Sequence, residues 1–495
     1  MCDGVVCFPE VVTLMGTDPG IEPQSRREHV KSHVRGLVAS GVLRRGSRVP
    51  SIVELRRALD VGKNTVVAAL DDLCGEGLLE ARERQGFFVR ATVAVGRAAA
   101  VTRATATRLA DLRIDAVAHG MATVLGQSTD DFVTIGSGTT AETLLATPEW
   151  TGMLRRAPPR EPWTGLRYAD PLGEPRLRDV IAARATGTPV APERVVVTLG
   201  AIEALNHSFA TTAAASGSRR IGIESPGYFM LASTITELGL EPVPIRREAD
   251  GLDLEMLRRE ARRSPLAAMM VNPNHHNPTG STLSLSQRFE LAAIAQQLRF
   301  FVIEDDVYRG LWRVAEEPPS IHSLLPERTI YLSSFSKTLG AALRMGFAIP
   351  PESLLDPLRR RKFLSTISGD GHTQNLVAEF VERRGYTRHL VEMREELWRR
   401  ARIAEAQAAS FAHLGRFTGE YSGGLFWQFR FRSGVDVMRL YVAARRRNML
   451  ISPGAFFRFE ESNDGETRDA WMRVNVSRCE GATLATVLGA LSEEC

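Results

Sequence analysis

The sequence predicts an α/β protein in two unequal parts. A small N-terminal unit of three helices and a hairpin precedes a large, mostly parallel sheet with helices on both faces. Three observations carry this reading. From residue 131 onward, short apolar runs alternate with helical stretches. The surplus of positive charge is confined to residues 26–92. The polar motifs recur where apolar runs end, which is where an open parallel sheet holds its ligands.

The 495 residues suit two or three domains, and 44% hydrophobic with 24% charged residues is ordinary for a chain that buries a large core. No apolar run approaches the roughly 20 residues a membrane-spanning helix needs. Residues 1–25 read as a flexible tail without the basic and apolar regions of a signal peptide. The five cysteines are scattered at Cys2, Cys7, Cys74, Cys479 and Cys495, without metal-ligand spacing, which fits a reducing cytoplasm. Residues 26–92 hold 13 Lys+Arg against 8 Asp+Glu, whereas the rest of the chain is nearly balanced, 49 against 50. A basic patch confined to one small unit is the footprint of a nucleic-acid reader.

In that unit, Val30, Val34, Leu37 and Val38 share one helical face. A second helix over Ile52–Leu59 starts at Ser51 with Glu54 three residues later, the pattern of a capping box. A third opens at Lys63-Asn64-Thr65 and runs to Gly75 through Val66, Val67, Leu70 and Leu73. Leu78 to Ala81 and Phe87 to Val89 flank a charged turn and read as a hairpin, completing a winged helix-turn-helix. The run from Gly46 to Val89 resembles the GntR-type DNA-binding domain. The resemblance implies that Lys63, Asn64 and Thr65 open the helix entering the major groove, that Arg48 and Ser51 touch the DNA backbone, and that Arg82, Arg84 and Gln85 flank DNA at the wing. The chain departs from the family at Val53, where arginine is frequent.

Residues 93–130 read as a linker, with an amphipathic helix expected over 107–125. From residue 131 to 495, strand-like runs appear at 195–198, 221–223, 267–271, 300–303, 330–332 and 347–349. After the run at 330–332 comes Ser333-Ser334-Phe335-Ser336-Lys337, with Arg344 seven residues beyond the lysine. A lysine held at a strand end among hydroxyls suits a Schiff base, and Ser334, Ser336 and Arg344 suit a phosphate. Four further motifs stand with it: Tyr168…Gly173…Arg178; Thr198-Leu199-Gly200-Ala201-Ile202, a strand leading to a helix start; Glu224-Ser225-Pro226-Gly227-Tyr228; and Asn277-Pro278-Thr279-Gly280. Glu304-Asp305-Asp306 then ends an apolar strand, with Tyr308 following, and Arg473 lies near the C-terminus.

This order resembles the fold-type I pyridoxal-phosphate aminotransferases, including their smaller C-terminal α+β subdomain. The resemblance implies pyridoxal 5'-phosphate bound to Lys337, Asp305 facing the pyridine nitrogen and Tyr308 and Asn277 at the ring oxygen. It implies Tyr228 stacked on the ring and the phosphate in a cup of Gly200, Ala201, Ile202, Ser334, Ser336 and Arg344. Tyr168 would reach the phosphate of a second subunit in a homodimer. Arg473, or failing it Arg478, would clamp a substrate carboxylate. Ile202 departs from relatives that place a hydroxyl or amide donor there. The adjacent His275 and His276 lack further metal ligands at suitable spacing.

Joined to a winged helix, such a domain looks like the MocR subfamily of GntR regulators. Two functions stand open. The chain is a regulator that senses an amino compound through aldimine formation at Lys337 and controls DNA binding, or it is a working aminotransferase with a retained N-terminal domain. Asp305-Asp306-Val307-Tyr308 is closer to working aminotransferases than the Asp-Asp-Tyr-Asp of many MocR members.

Overall fold

The computed structural model describes residues 23–39, 46–75, 78–82, 86–89, 132–156, 167–185, 189–248, 251–312, 317–459 and 470–494, with positions 43, 120 and 187. The chain divides into two units, Met1–Thr105 and Ala106–Cys495. The expected tail (residues 1–25) is described only from residue 23, and the expected helix over 107–125 lies outside the described residues apart from position 120.

In the first unit, α1 spans Pro23–Ala39, α2 Ile52–Leu59 and α3 Lys63–Gly75; β1 (Leu79–Arg82) pairs antiparallel with β2 (Gly86–Val89). The capping box forms as the sequence demands. Glu54 N–H donates to Ser51 Oγ at 3.3 Å and Ser51 N–H donates to the Glu54 carboxylate at 2.6 Å. Asp60 then ends α2 in the left-handed region, its N–H returning to the Arg56 carbonyl. The periodic apolar positions Val30, Val34, Leu55, Val66, Leu70, Leu73 and Leu79 are buried together.

The second unit is built on an eight-stranded sheet: β3 (Val196–Thr198), β4 (Arg220–Ser225), β5 (Glu241–Glu248), β6 (Gly251–Leu252), β7 (Ala268–Val271), β8 (Phe301–Asp305), β9 (Thr329–Ser334) and β10 (Gly346–Ile349), in the order β3-β10-β9-β8-β7-β4-β5-β6. The five strands from β9 to β5 in that order are mutually parallel; β10 runs against both neighbours and β6 folds back on β5. Every residue of β4, β7, β9 and β10 is buried, as continuous apolar runs require when helices cover both faces.

A smaller sheet follows from β11 (Gly415–Phe417), β12 (Phe426–Phe431), β13 (Ser452–Pro453) and β14 (Trp471–Asn475), in the order β11-β12-β14-β13 and antiparallel throughout. Its core joins Phe429, Phe431, Trp471, Met472 and Val474 to Leu440 and Tyr441 of the helix Val437–Arg446 and to Leu484, Val487 and Leu488 of the helix Thr483–Ser492. The 25-residue helix Gly385–Ala409 runs into this subdomain.

Candidate functional site

Lys337 closes a single 3-10 turn, Phe335–Lys337, directly after β9. The turn is locked from within. Ser334 Oγ accepts from Ser336 N–H at 3.1 Å and donates to the Met345 carbonyl at 2.8 Å, and Thr140 Oγ1 donates to the Lys337 carbonyl at 2.6 Å. The Lys337 ammonium donates to the Gly138 carbonyl at 2.7 Å. Burial draws its pKa down from 10.5 to about 8; the Arg473 charge acts the same way and Asp305 opposes.

The three acids at the end of β8 divide their roles by their partners. Glu304 accepts from the N–H groups of Ile321 and His322 at 2.9 and 2.8 Å, capping a short helix. Asp306 accepts from Asn274 Nδ2 at 2.7 Å, from the Tyr331 hydroxyl at 3.0 Å and from Arg309 at 3.1 Å. Asp305 Oδ1 is buried with no hydrogen-bond partner among the described residues. Burial pushes the Asp305 carboxyl up to about 7, against the pull of the Val307 N–H.

The loop after β7 brings Asn277 to Arg473. Asn277 N–H donates to Asn272 Oδ1 at 2.9 Å, and Asn272 Nδ2 donates to the Asp305 carbonyl at 2.7 Å. Behind them, Glu224 accepts from Asn272 N–H at 2.7 Å and pairs with the buried Arg247. Arg473, fully buried on β14, donates from Nη1 to Asn277 Oδ1 at 2.7 Å and from Nη2 to the Gly136 carbonyl at 2.6 Å. Phe426 and Phe457 lie against the guanidinium, 4.5 and 4.9 Å from their ring centroids, and Nε has no hydrogen-bond partner among the described residues. Burial lowers the Arg473 pKa to about 10, with Tyr308 and Tyr228 acting in the opposite sense. Tyr308 is buried and hydrogen-bonds the Asn277 side chain, and burial raises its pKa. Burial also raises the Tyr228 pKa, with Arg473, Asp305 and Arg344 all acting on it, so its phenol faces the same cluster.

At the end of β3, Gly200 has φ +84°, and a Cβ there would fall 2.9 Å from Arg344 Nη2. The left-handed φ favours glycine here, and without a Cβ the arginine lies close to the start of the helix Ala201–Ser216. Arg344 donates to the Leu199 carbonyl at 2.8 Å, and the helix start has no side-chain cap. Ile202 is 37% exposed at this rim. Ser334 and Ser336 instead spend their hydroxyls on each other, 2.9 Å apart, and on the turn. Tyr168 stands 82% exposed, outside the cluster formed by this single chain. Arg478 bonds Thr139 and Glu142 rather than the Asn277 loop.

In the first unit, Arg48, Ser51, Lys63 and Asn64 are exposed and Thr65 is half-buried at the start of α3. Ser51 is occupied as the α2 cap. Arg82 pairs with Glu80 and stacks 4.3 Å over Phe88, so its charge is partly spent within the hairpin. Val53 is 68% exposed on α2. Arg84 and Gln85 lie outside the described residues.

The model for aminotransferase class I and II matches residues 154–491, and that for the gntR family of bacterial regulatory proteins matches residues 26–89. The chain belongs to the aminotransferase class I and II family. To that domain a GntR helix-turn-helix is joined, which is the arrangement of the MocR subfamily.

Similar proteins along most of the length include the uncharacterized HTH-type transcriptional regulator YisV of Bacillus subtilis, 24% identical over 94% of both chains. The probable rhizopine catabolism regulatory protein MocR of Rhizobium meliloti is 28% identical over 87% of this chain and 86% of its own. The pyridoxine biosynthesis regulator PdxR of Corynebacterium glutamicum is 29% identical over 67% of each. An archaeal alanine:glyoxylate aminotransferase shares the fold with a TM-score of 0.68 at 20% identity, over 80% of this chain and 98% of its own. The α-aminoadipate aminotransferase LysN of Thermus thermophilus, solved with N-(5'-phosphopyridoxyl)-L-leucine, gives 0.64 at 23%, over 74% and 94%.

Sequence reasoning overlooked the segment 132–141, whose carbonyls hold both Lys337 and Arg473, and the rings of Phe426 and Phe457. Backbone acceptors and buried phenylalanines leave no local pattern to find. The glycines of Ile135-Gly136-Ser137-Gly138 were the one available hint.

Proposed function

We propose that this protein is a transcriptional regulator that binds pyridoxal 5'-phosphate at Lys337, senses an amino acid or amine there, and controls DNA binding by the winged helix. The observation that carries the cofactor reading is the orphaned Oδ1 of Asp305 among three acids whose other members are fully engaged. A buried carboxylate with one oxygen free of donors suits a protonated ring nitrogen. Arg344 beside the uncapped start of the helix Ala201–Ser216 suits a phosphate, and the residues present fit the group. When bound, pyridoxal phosphate supplies an aldehyde for amines and a ring that withdraws electrons from an α-carbon.

The chain's own residues then have definite tasks. Lys337 offers an amine that loses its proton near pH 8. Asp305 would keep the ring nitrogen of the bound group protonated, and Tyr308 and Asn277 would bond its ring oxygen. Tyr228 would stack on the ring. The amides of Ala201 and Ile202, with Arg344, would hold the phosphate, and the Ile202 side chain would leave that work to the backbone. Arg473, a buried cation with no carboxylate among the groups acting on it, takes the ligand carboxylate. The exposed Tyr168 is assigned to a second copy in a cytoplasmic homodimer. Arg48, Lys63, Asn64 and Thr65 form the DNA-facing surface, extended by Ser51, Arg82, Arg84 and Gln85.

Catalytic transamination is the second reading, favoured by the Asp305…Tyr308 spacing and a complete set of groups. The test is an absorbance titration of the reconstituted protein with amino acids and amines, read beside keto-acid release and DNA affinity. A spectral shift with altered DNA affinity and no sustained product supports the regulator. Sustained keto acid with unaltered DNA affinity supports the enzyme.

A further inference from the structure

The segment 132–141 is the first described stretch after the linker, and it fastens the two subdomains of the aminotransferase unit to each other. On the smaller subdomain, Val133 N–H donates to the Asn448 carbonyl at 3.0 Å, Gly136 N–H to the Leu450 carbonyl at 2.9 Å, and Asn475 Nδ2 to the carbonyls of Ser137 and Thr139 at 2.9 and 2.7 Å. On the larger, Thr140 Oγ1 donates to the Lys337 carbonyl at 2.6 Å and Lys337 Nζ to the Gly138 carbonyl at 2.7 Å. Between these anchors, Gly136 O accepts from Arg473 Nη2 at 2.6 Å and from Ser452 Oγ at 2.6 Å. A Cβ on Gly136 would lie 2.6 Å from the Ile451 carbonyl carbon, so the segment lies flat on backbone there.

Two of the site's cations, Lys337 and Arg473, are thus held by carbonyls of one segment that continues the linker. The rings of Phe426 and Phe457 lie 4.5 and 4.9 Å from the Arg473 guanidinium carbon and Nη1 serves Asn277, and a bidentate carboxylate approaches along an edge in the guanidinium plane. Each edge includes Nη2, one of whose two N–H groups already serves Gly136 O, so a carboxylate oxygen there is set beside that carbonyl and competes with it. An ionised oxygen makes the stronger bond to a guanidinium than a neutral carbonyl does.

We propose that segment 132–141 carries the ligand signal: a carboxylate on Arg473 displaces the Gly136 carbonyl, loosens the segment from the smaller subdomain, and so alters the tether of the DNA-binding unit. This rests on the sensor reading above and names its route. An amine without a carboxylate leaves the Gly136 hold intact, so it occupies the site without sending the signal.

The experiment uses the full chain reconstituted with pyridoxal phosphate and a panel of the common amino acids with their decarboxylated amines. Hydrogen exchange over 132–141, the visible spectrum and DNA affinity are read in parallel. An amino acid that shifts the spectrum should speed exchange over 132–141 by at least fivefold and change DNA affinity over the same concentrations, while its amine shifts the spectrum alone. Ser452→Ala, which removes a hydrogen bond from the smaller subdomain to Gly136 O, should speed exchange without ligand and move DNA affinity toward the ligand-bound value while leaving the cofactor spectrum in place. Altered DNA affinity with unaltered exchange overturns this route and leaves the sensor standing. DNA affinity that no ligand changes, or a panel with no member that shifts the spectrum, overturns the sensor itself.

Discussion

Replacing Arg473 separates its role toward a ligand from its role in the fold. The guanidinium is fully buried, with hydrogen bonds to Asn277 Oδ1 and Gly136 O, an Nε without a partner among the described residues, and the rings of Phe426 and Phe457 at 4.5 and 4.9 Å. Truncating one partner of a buried, hydrogen-bonded charge pair costs about 2–5 kcal/mol. At about 1.4 kcal/mol per factor of ten, Arg473→Ala should weaken carboxylated ligands by roughly 30- to 3,000-fold. Decarboxylated amines should weaken by less than about threefold, a change of under about 0.7 kcal/mol. Arg473→Lys keeps a charge but loses the planar fork, and should fall between, at about 10- to 100-fold. In the ligand-free protein, two acceptors lose a donor, while an uncompensated buried charge is also removed. These effects oppose, and the melting temperature should move by only a few degrees. Absorbance titration of the reconstituted variants gives the affinities, and a thermal melt checks the fold. Equal losses for the acid and its amine would refute the assignment, because the carboxylate would then be held elsewhere.

Lys337→Ala should abolish the visible band of the reconstituted protein; a band that persists places the attachment on another residue. Asp305 binds its proton more tightly when folded, up to about pH 7 against an ordinary 3.8, so it lowers stability progressively as pH rises through that window. Apo Asp305→Asn should therefore gain on the parent between pH 4 and 8, on the order of 1 kcal/mol after screening, and lose the stabilisation that cofactor gives the parent. A pH-independent difference in melting temperature contradicts the burial assigned to that carboxyl. Lys63→Ala and Arg48→Ala should each weaken DNA binding across sequences and reduce the salt slope by about one, measured by fluorescence anisotropy at several salt concentrations; unchanged slopes remove that surface from the interface. Ser51→Ala removes the α2 capping box and should destabilise the first unit by about 1 kcal/mol in a chemical melt, with no effect on the cofactor spectrum.

The architecture was readable because its signals are local. The Ser51/Glu54 box, the Val30/Val34 period and the buried runs ending in polar motifs each express a backbone preference or a burial pattern in consecutive residues. The antiparallel entry of β10 was not readable, since direction is set by pairing with distant strands. At the site, the resemblance to the aminotransferases singled out one acid of three, but only tertiary partners explain why Glu304 and Asp306 are not interchangeable with it. The hold of Gly136 O and Gly138 O on Arg473 and Lys337 was invisible because a carbonyl has no residue identity. Ser334 looked like a phosphate ligand from its place before the lysine, yet its hydroxyl is turned to Met345 and Ser336.

Occupation of the Lys337 site should govern DNA binding. The most direct measurement is the DNA affinity of the cofactor-loaded protein, on duplexes selected from a random library, with and without an amino acid that shifts its spectrum. The affinity should change at least fivefold, and should not change in Lys337→Ala. An unchanged affinity, with steady release of keto acid from the same mixture, would rule out a regulatory site and make the protein an aminotransferase.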